Sequence, residues 1–310
     1  MRLDVQEAIN SRWGVGFALW LSRVMPPGLG HRWSRLIADR VSARRGWAMV
    51  RAVRTNQWVV GKGELSSEGL DQTVRDTFRH TARCLYDHYH NLSDRSAADR
   101  LVSYEPHVDH LLNGMSSGQR TGIIVGPHMS NFDFVARAIA LRGVPLTALS
   151  FSQPGSGYQW QNELRRECGI DIAPASMASL LHAARRLRAG GTVITGLDRP
   201  LPGARYQPRF FGRPAALSAM HVFLALKTDV PIYVLAAVMR PDGVYSIKGS
   251  DPIEMVPKPE RHDQIIYNAE RVLAVAEDFI RLAPYQWSMF YPVWPEALEE
   301  VPWISGAGEA

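Results

Sequence analysis

The chain has 310 residues, of which 46% are hydrophobic and 21% charged, and a formal net charge of +5. That length accommodates a large core, and the composition excludes a chain that stays disordered. It also excludes a membrane span of roughly 20 mostly apolar residues. The best stretches, "VGFALWL" and "MHVFLALKTDVPIYVLAAVM", are too short or are broken by Lys227, Asp229 and Pro231.

Asp4 and Glu7 come too early for a secretory signal, so the expected place of folding is the cytoplasm. Trp13, Phe17, Trp20, Leu21 and Val24 then recur at helical spacing and predict a first amphipathic helix, ended by "PPGLG". A second helix is predicted from about His31 to Arg45, with Trp33, Leu36, Ile37 and Val41 on one side and arginines on the other. Residues 8 to 63 hold ten Lys or Arg against the single acid Asp39, together with five of the nine tryptophans. Arginines interleaved with tryptophans suit an anionic membrane interface, or else tryptophans packed inward beneath a solvated basic face. No helix-turn-helix, zinc-finger or RNA-binding signature accompanies the basic segment, so nucleic acid is not the expected partner.

A third long helix covers "SSEGLDQTVRDTFRHTARCLYDHYHNL", with Ser66 and Ser67 as candidate caps. On it His88 and His90 share no face, and neither they and His80 nor the later His107 and His110 have a supporting acidic or Cys set. They read as packing or surface residues, and no metal is expected. From about residue 101 strands and helices alternate: "TGIIVG", "NFDFVARAIALRG", "VPLTALSF", "YQWQNELRREC", "IDIAP", "SMASLLHAARRLRAG", "GTVITGL", "LSAMHVFLALKT", "VPIYVLAAVMR" and "YSIKGSD". That alternation predicts an α/β fold around a central, mostly parallel or mixed sheet flanked by helices. A closing helix is predicted over residues 262 to 283. The expected organisation is an N-terminal helical region over 1–95 and an α/β core over 96–310, built as one continuous structural domain.

In an open α/β sheet, ligands bind beyond the carboxyl ends of the strands. His128 stands there, directly after "GIIVGP", with Asp133 following across four intervening residues. A neutral imidazole whose second nitrogen is held by an acceptor can take a proton from a hydroxyl, and Asp133 is a candidate acceptor. Ser130 followed three residues later by Asp133 equally fits a helix capping box, and both readings stand on the residues alone. Asp198 and Arg199 end another predicted strand and are expected at the same rim. Arg165 and Arg166 are candidates for phosphate contacts, as are Arg209 and Arg213 around the two phenylalanines of "RFFGRP". There is no "GxSxG" elbow. Cys168 lies in a predicted turn far from His128 and does not read as a nucleophile. The two cysteines, Cys84 and Cys168, make no disulfide framework.

"IIVGPHMSNFDFVARAIA" resembles the first motif of the lysophospholipid acyltransferase superfamily, and in particular the branch of the lipid A and phosphatidylinositol mannoside acyltransferases. "GGTVITGLDRP" and "RFFGRPAALSAMHVFLALKTDVPIYVLAAV" are similar to later blocks of that branch, in the same order. The helix ending "HTARCLYDHY" and "VRTNQWVV" also fit its N-terminal region. The tail "YQWSMFYPVW" is similar to the "DWHMLQPLW" ending of the mannoside enzymes rather than to the "PEQWLW" ending of the lipid A enzymes. Asp133 stands where the lipid A enzymes usually carry Glu, and their usual N-terminal span has no counterpart here. The resemblance implies that His128, oriented by Asp133, activates a hydroxyl of a phosphate-bearing glycolipid for attack on an acyl thioester. The donor is then acyl-CoA or an acyl carrier protein, with no cofactor, and the enzyme sits peripherally on the cytoplasmic face of the plasma membrane. A glycerolipid acyltransferase is the nearest alternative. A lipid-binding protein without catalysis is the alternative of another class, and it would need no His128 and Asp133.

Overall fold

The computed structural model describes residues 22–150, 156–174 and 176–301. Trp13, Phe17, Trp20 and Leu21 of the first predicted helix lie outside the described residues. The helical residues 22–24 end at the Met25–Pro26 break, as expected, but the rest of "PPGLG" is not a loop. Pro27 instead opens helix α1 (Pro27–Ser42), a position where its missing N–H costs nothing and its fixed φ is already helical. Helix α2 (Ala48–Val60) follows, unforeseen as a helix, and then α3 (Ser67–His90). Ser66 caps α3 by accepting the backbone N–H of Gly69 at 3.1 Å.

Helix α1 lies on α3 through its smallest residues. Gly30, Ala38 and Ser42 are buried, and a β-carbon at Gly30 would fall 2.1 Å from the Tyr86 ring. Arg79 binds both carboxylate oxygens of Asp39, and His31 meets Asp87 at 2.7 Å, so polar bonds lock the pair together. The large apolar residues of α1 are left outside. Leu29, Trp33, Leu36 and Ile37 are each about half exposed, and their spacing places them on one helical face. No helix among the described residues is long and apolar enough to cross a membrane.

The remaining elements are α4 (Ala97–Leu101), β1 (Val102–Tyr104), α5 (Pro106–Ser116), β2 (Gly122–Gly126), α6 (Phe132–Leu141), β3 (Leu146–Ser150), α7 (Ser156–Glu167), β4 (Asp171–Pro174), α8 (Met177–Arg188) and β5 (Thr192–Gly196). They continue as the hairpin β6 (Arg209–Phe210) and β7 (Arg213–Pro214), then α9 (Met220–Thr228), β8 (Ile232–Met239), β9 (Tyr245–Gly249) and α10 (Arg261–Leu282). Among the described residues seven strands form one sheet in the order β1-β9-β8-β2-β5-β3-β4. It is parallel apart from the β8–β9 pair, the largely parallel α/β sheet that the alternation predicts.

Successive strand residues face opposite sides of the sheet, which splits the core in two. Ile123, Val125, Val193 and Val234 pack with α8, α9 and α10. Ile124, Ile194, Leu235 and Ala237 pack with α5 and α6. The C-terminal tail then runs back over the sheet and ties in α2. Asn56 donates to the carbonyls of Met289 and Tyr291, and Gln57 to that of Pro284.

Candidate active site

Strands β2 and β5 are parallel neighbours in register, with Gly126 opposite Gly196. His128 and Asp198 each lie two residues beyond that pair, so the two side chains leave the sheet side by side. His128 Nδ1 is 2.5 Å from Asp198 Oδ1, and the His128 backbone N–H donates to Asp198 Oδ2 at 2.7 Å. The Trp287 indole N–H donates to the same Oδ2, also at 2.7 Å. Asp198 is 0% exposed. Burial works to raise its pKa, but the charge and hydrogen bond of His128, with the Trp287 bond, hold it below the usual carboxylate value. An ionised carboxylate has no proton to give, so Nδ1 carries the proton and donates it, and Nε2 is the basic nitrogen. The imidazole is about one-quarter exposed.

Backbone shape holds the ring in place. A β-carbon at Gly196 would fall 2.7 Å from His128 Cε1, so only glycine leaves room for this imidazole. On the other side Phe132 meets the ring edge-on at 4.8 Å between centroids. Ser130 adopts a left-handed φ of 52°, uncommon outside glycine. Its backbone N–H donates to the Gln286 carbonyl at 2.7 Å, and its hydroxyl meets His80 Nε2 at 3.0 Å. Burial, with a smaller contribution from the charge of Arg83, lowers the pKa of His80 to about 4, so that imidazole is neutral. His80 is thus a packing residue directly behind the site.

Asp133 departs from both expectations. The carboxylate that holds His128 is Asp198, the parallel-strand partner, whereas Asp133 sits in the first turn of α6 and binds Arg165. Arg165 Nε and Nη2 reach Asp133 Oδ1 at 2.8 and 2.5 Å. The capping box is absent too: Asn131 takes the N-cap position, and the Ser130 side chain turns to His80. Burial pushes the pKa of Asp133 upward, but the Arg165 guanidinium leads several neighbours in bringing it below the usual value.

A cleft of about 900 Å³ opens beside His128. Helix α6 roofs it with Phe132, Asp133, Val135, Ala136 and Ile139, and strands β3, β5, β2, β8 and β9 floor it. Four strand spacings at about 4.8 Å give it a length of about 19 Å across the sheet. The walls are apolar except at Asp133, Arg165, Ser150 and Thr195, near His128 and toward β3. A smaller cavity of about 410 Å³ adjoins it across Asp133, Arg165 and Ile170, and Cys168 lines that one.

The fold therefore brings together His128, Asp133, Asp198 and Arg165. Asp198 lies under the imidazole, too buried to serve as the substrate contact expected at the rim. Arg199 is stacked over the Tyr291 ring at 4.5 Å, and Arg166 is exposed on α7. Arg209 and Arg213 stay on the β6–β7 hairpin, away from the cleft lining. Arg213 is paired with Glu300, and Arg209 donates to the Gly212 carbonyl. Phe210 is fully buried and stacked on Trp294. Trp287 and Gly196 were not singled out from the sequence. Trp287 stood inside the tail block "YQWSMFYPVW", but no local pattern ties an indole to a carboxylate 89 residues earlier.

Searching the curated proteins gives no match. Among solved structures, the 1-acyl-sn-glycerophosphate (LPA) acyltransferase PlsC from Thermotoga maritima is similar at 16% identity, over 79% of this chain and 97% of its own. The TM-score is 0.34, a loose superposition that fixes no residue correspondence. The family model for bacterial lipid A biosynthesis acyltransferases matches residues 5–296. The chain belongs to that family and is an acyltransferase.

Proposed function

We propose that this acyltransferase moves a fatty acyl chain from an acyl thioester, acyl-CoA or acyl carrier protein, to a hydroxyl of a phosphate-bearing glycolipid such as a phosphatidylinositol mannoside. The observation that carries the reading is the His128–Asp198 pair at the mouth of a long apolar cleft. His128 Nε2 takes the proton of the acceptor hydroxyl as its oxygen attacks the thioester carbonyl. The C–S bond breaks as the ester forms, and the leaving thiolate takes the proton back from the imidazolium. Asp198 stabilises that imidazolium and fixes its tautomer. The acyl chain lies across the sheet beneath α6. Asp133 and Arg165 supply an acceptor and a donor for the polar head, Arg165 being suited to a phosphate.

The exposed apolar face of α1, beside Arg32, Arg35, Arg40 and Arg44, suits docking on an anionic membrane. The enzyme then works from the cytoplasmic face as a peripheral protein. A glycerolipid acceptor of the lysophosphatidate type is the second reading, and nothing in the cleft favours it over a sugar.

The test uses purified wild-type and His128→Ala protein with palmitoyl-CoA and a polar lipid extract containing phosphatidylinositol mannosides, read by mass spectrometry. A gain of one acyl group on a mannoside lipid with wild type alone supports the reading. Acylation of lysophosphatidate in its place selects the second reading. Equal product from His128→Ala removes His128 as the base.

A further inference from the structure

We infer that Trp287 is a positioning residue for acyl transfer, acting on His128 through Asp198. The inference rests on the reading of His128 as the base. A buried carboxylate stays ionised only when hydrogen-bond donors or positive charge compensate its lost hydration. Asp198 Oδ1 has the imidazole N–H. Oδ2 has two donors, the His128 backbone N–H and the Trp287 indole, each at 2.7 Å. Removing the indole N–H leaves Oδ2 with one donor in a site that is 0% exposed.

The tail holds the backbone of the His128 loop as well. Residues 286–288 run antiparallel to 128–130, bridged at Met129 and Trp287. The Ser130 N–H donates to the Gln286 carbonyl at 2.7 Å, and the Ser288 N–H to the His128 carbonyl at 2.8 Å. Gln286 is itself clamped to both backbone groups of Met239. One three-residue strap thus sets the loop that carries the base and donates to the carboxylate that orients it.

Trp294 provides the internal control. It packs against Trp287 with ring centroids 6.3 Å apart and is equally buried, yet its indole N–H has no partner among the described residues. Packing alone would make the two tryptophans equivalent. Only Trp287 spends its N–H on the site.

The experiment compares full-length wild type, Trp287→Phe, Trp294→Phe, Asp198→Asn, the Trp287→Phe/Asp198→Asn double variant and His128→Ala. Thiol release from palmitoyl-CoA is followed with the lipid extract present, across pH. Loss of a hydrogen bond to a charged group predicts a kcat for Trp287→Phe lower by roughly 10- to 100-fold. KM for palmitoyl-CoA stays within about threefold, since the indole is not a substrate contact. The acid limb of the pH profile moves to higher pH, because Asp198 without the indole donor takes up a proton more readily. Trp294→Phe moves neither. The double variant is no slower than Asp198→Asn alone, as expected of residues acting in series.

Proton NMR asks the same question without substrate. The Nδ1–H proton shared with Asp198 gives a far-downfield resonance that is missing from His128→Ala. It shifts or broadens in Trp287→Phe and is retained in Trp294→Phe. Replacing only the indole N–H by sulfur, with 3-benzothienylalanine at position 287, gives the same readout if phenylalanine leaves a gap that unfolds the chain. The inference is overturned if Trp287 and Trp294 variants share one pH profile and one spectrum, or if the double-variant losses multiply. An active His128→Ala overturns the base itself, a separate failure.

Discussion

Helices α1 and α6 are both amphipathic, and they turn their apolar faces in opposite directions. Helix α6 buries Phe134, Val135, Ala138 and Ile139 against the sheet. Helix α1 buries glycine, alanine and serine and leaves Leu29, Trp33, Leu36 and Ile37 outside. The period of a helix reports that one face is apolar, not what that face meets. What decides is the contact: α3 accepts α1 only through close backbone approach at Gly30, so the bulky residues have nowhere inside to go. An apolar face exposed beside arginines is the surface that the proposed membrane docking would use.

The contrast is broken most sharply by a charge on each face. Ile139→Asp puts an unpaired carboxylate into the core, is expected to cost about 4 kcal/mol or more, and should leave no cooperative thermal transition. Acidification sharpens it next. His80 and His221 are buried and their pKa values are lowered from 6.5 to about 4, chiefly by burial. The unfolded chain binds their protons first, so stability falls as pH drops from about 6.5 and levels near 4, by on the order of 3 kcal/mol for each. Chemical denaturation at pH 7 and pH 5 measures the drop, and His80→Gln should flatten part of it.

Gly30→Val should cost about 1–3 kcal/mol by forcing α1 off Tyr86, whose hydroxyl is tied to the Met25 carbonyl at 2.6 Å. A lower melting temperature, with the Ile139 core intact, would show that the α1–α3 seam is set by size. The smallest effect on stability is expected for Trp33→Glu with Ile37→Glu, within about 0.5 kcal/mol of wild type. The same protein should lose binding to anionic vesicles. If the pair of charges instead unfolds the protein, the α1 face is core after all.

Much of this fold could be read from periodicity. The strands and helices from β2 to β9, the β6–β7 hairpin apart, stand where alternation puts them, and Ser66 caps α3 as its residue type suggests. The order of strands could not be read, and the site depends on that order. Asp133 is near His128 along the chain, and that nearness alone makes it a candidate acceptor. Asp198 is 70 residues away but becomes the neighbour because β5, rather than β3, lies beside β2. Sequence proximity and spatial proximity gave different carboxylates. Likewise "TGLDRP" showed a strand end, but nothing in it showed that Asp198 would be covered by a tail arriving much later.

That late arrival has a bearing on how the enzyme is made. A chain emerges N-terminus first, and His128, Asp133, Arg165 and Asp198 are all synthesised well before Trp287 and Ser288. Until the tail docks, the His128 loop lacks its antiparallel strap and Asp198 lacks its indole donor. A growing or prematurely terminated chain therefore holds the reactive groups without their frame. Such a fragment has no finished site with which to spill acyl groups onto water.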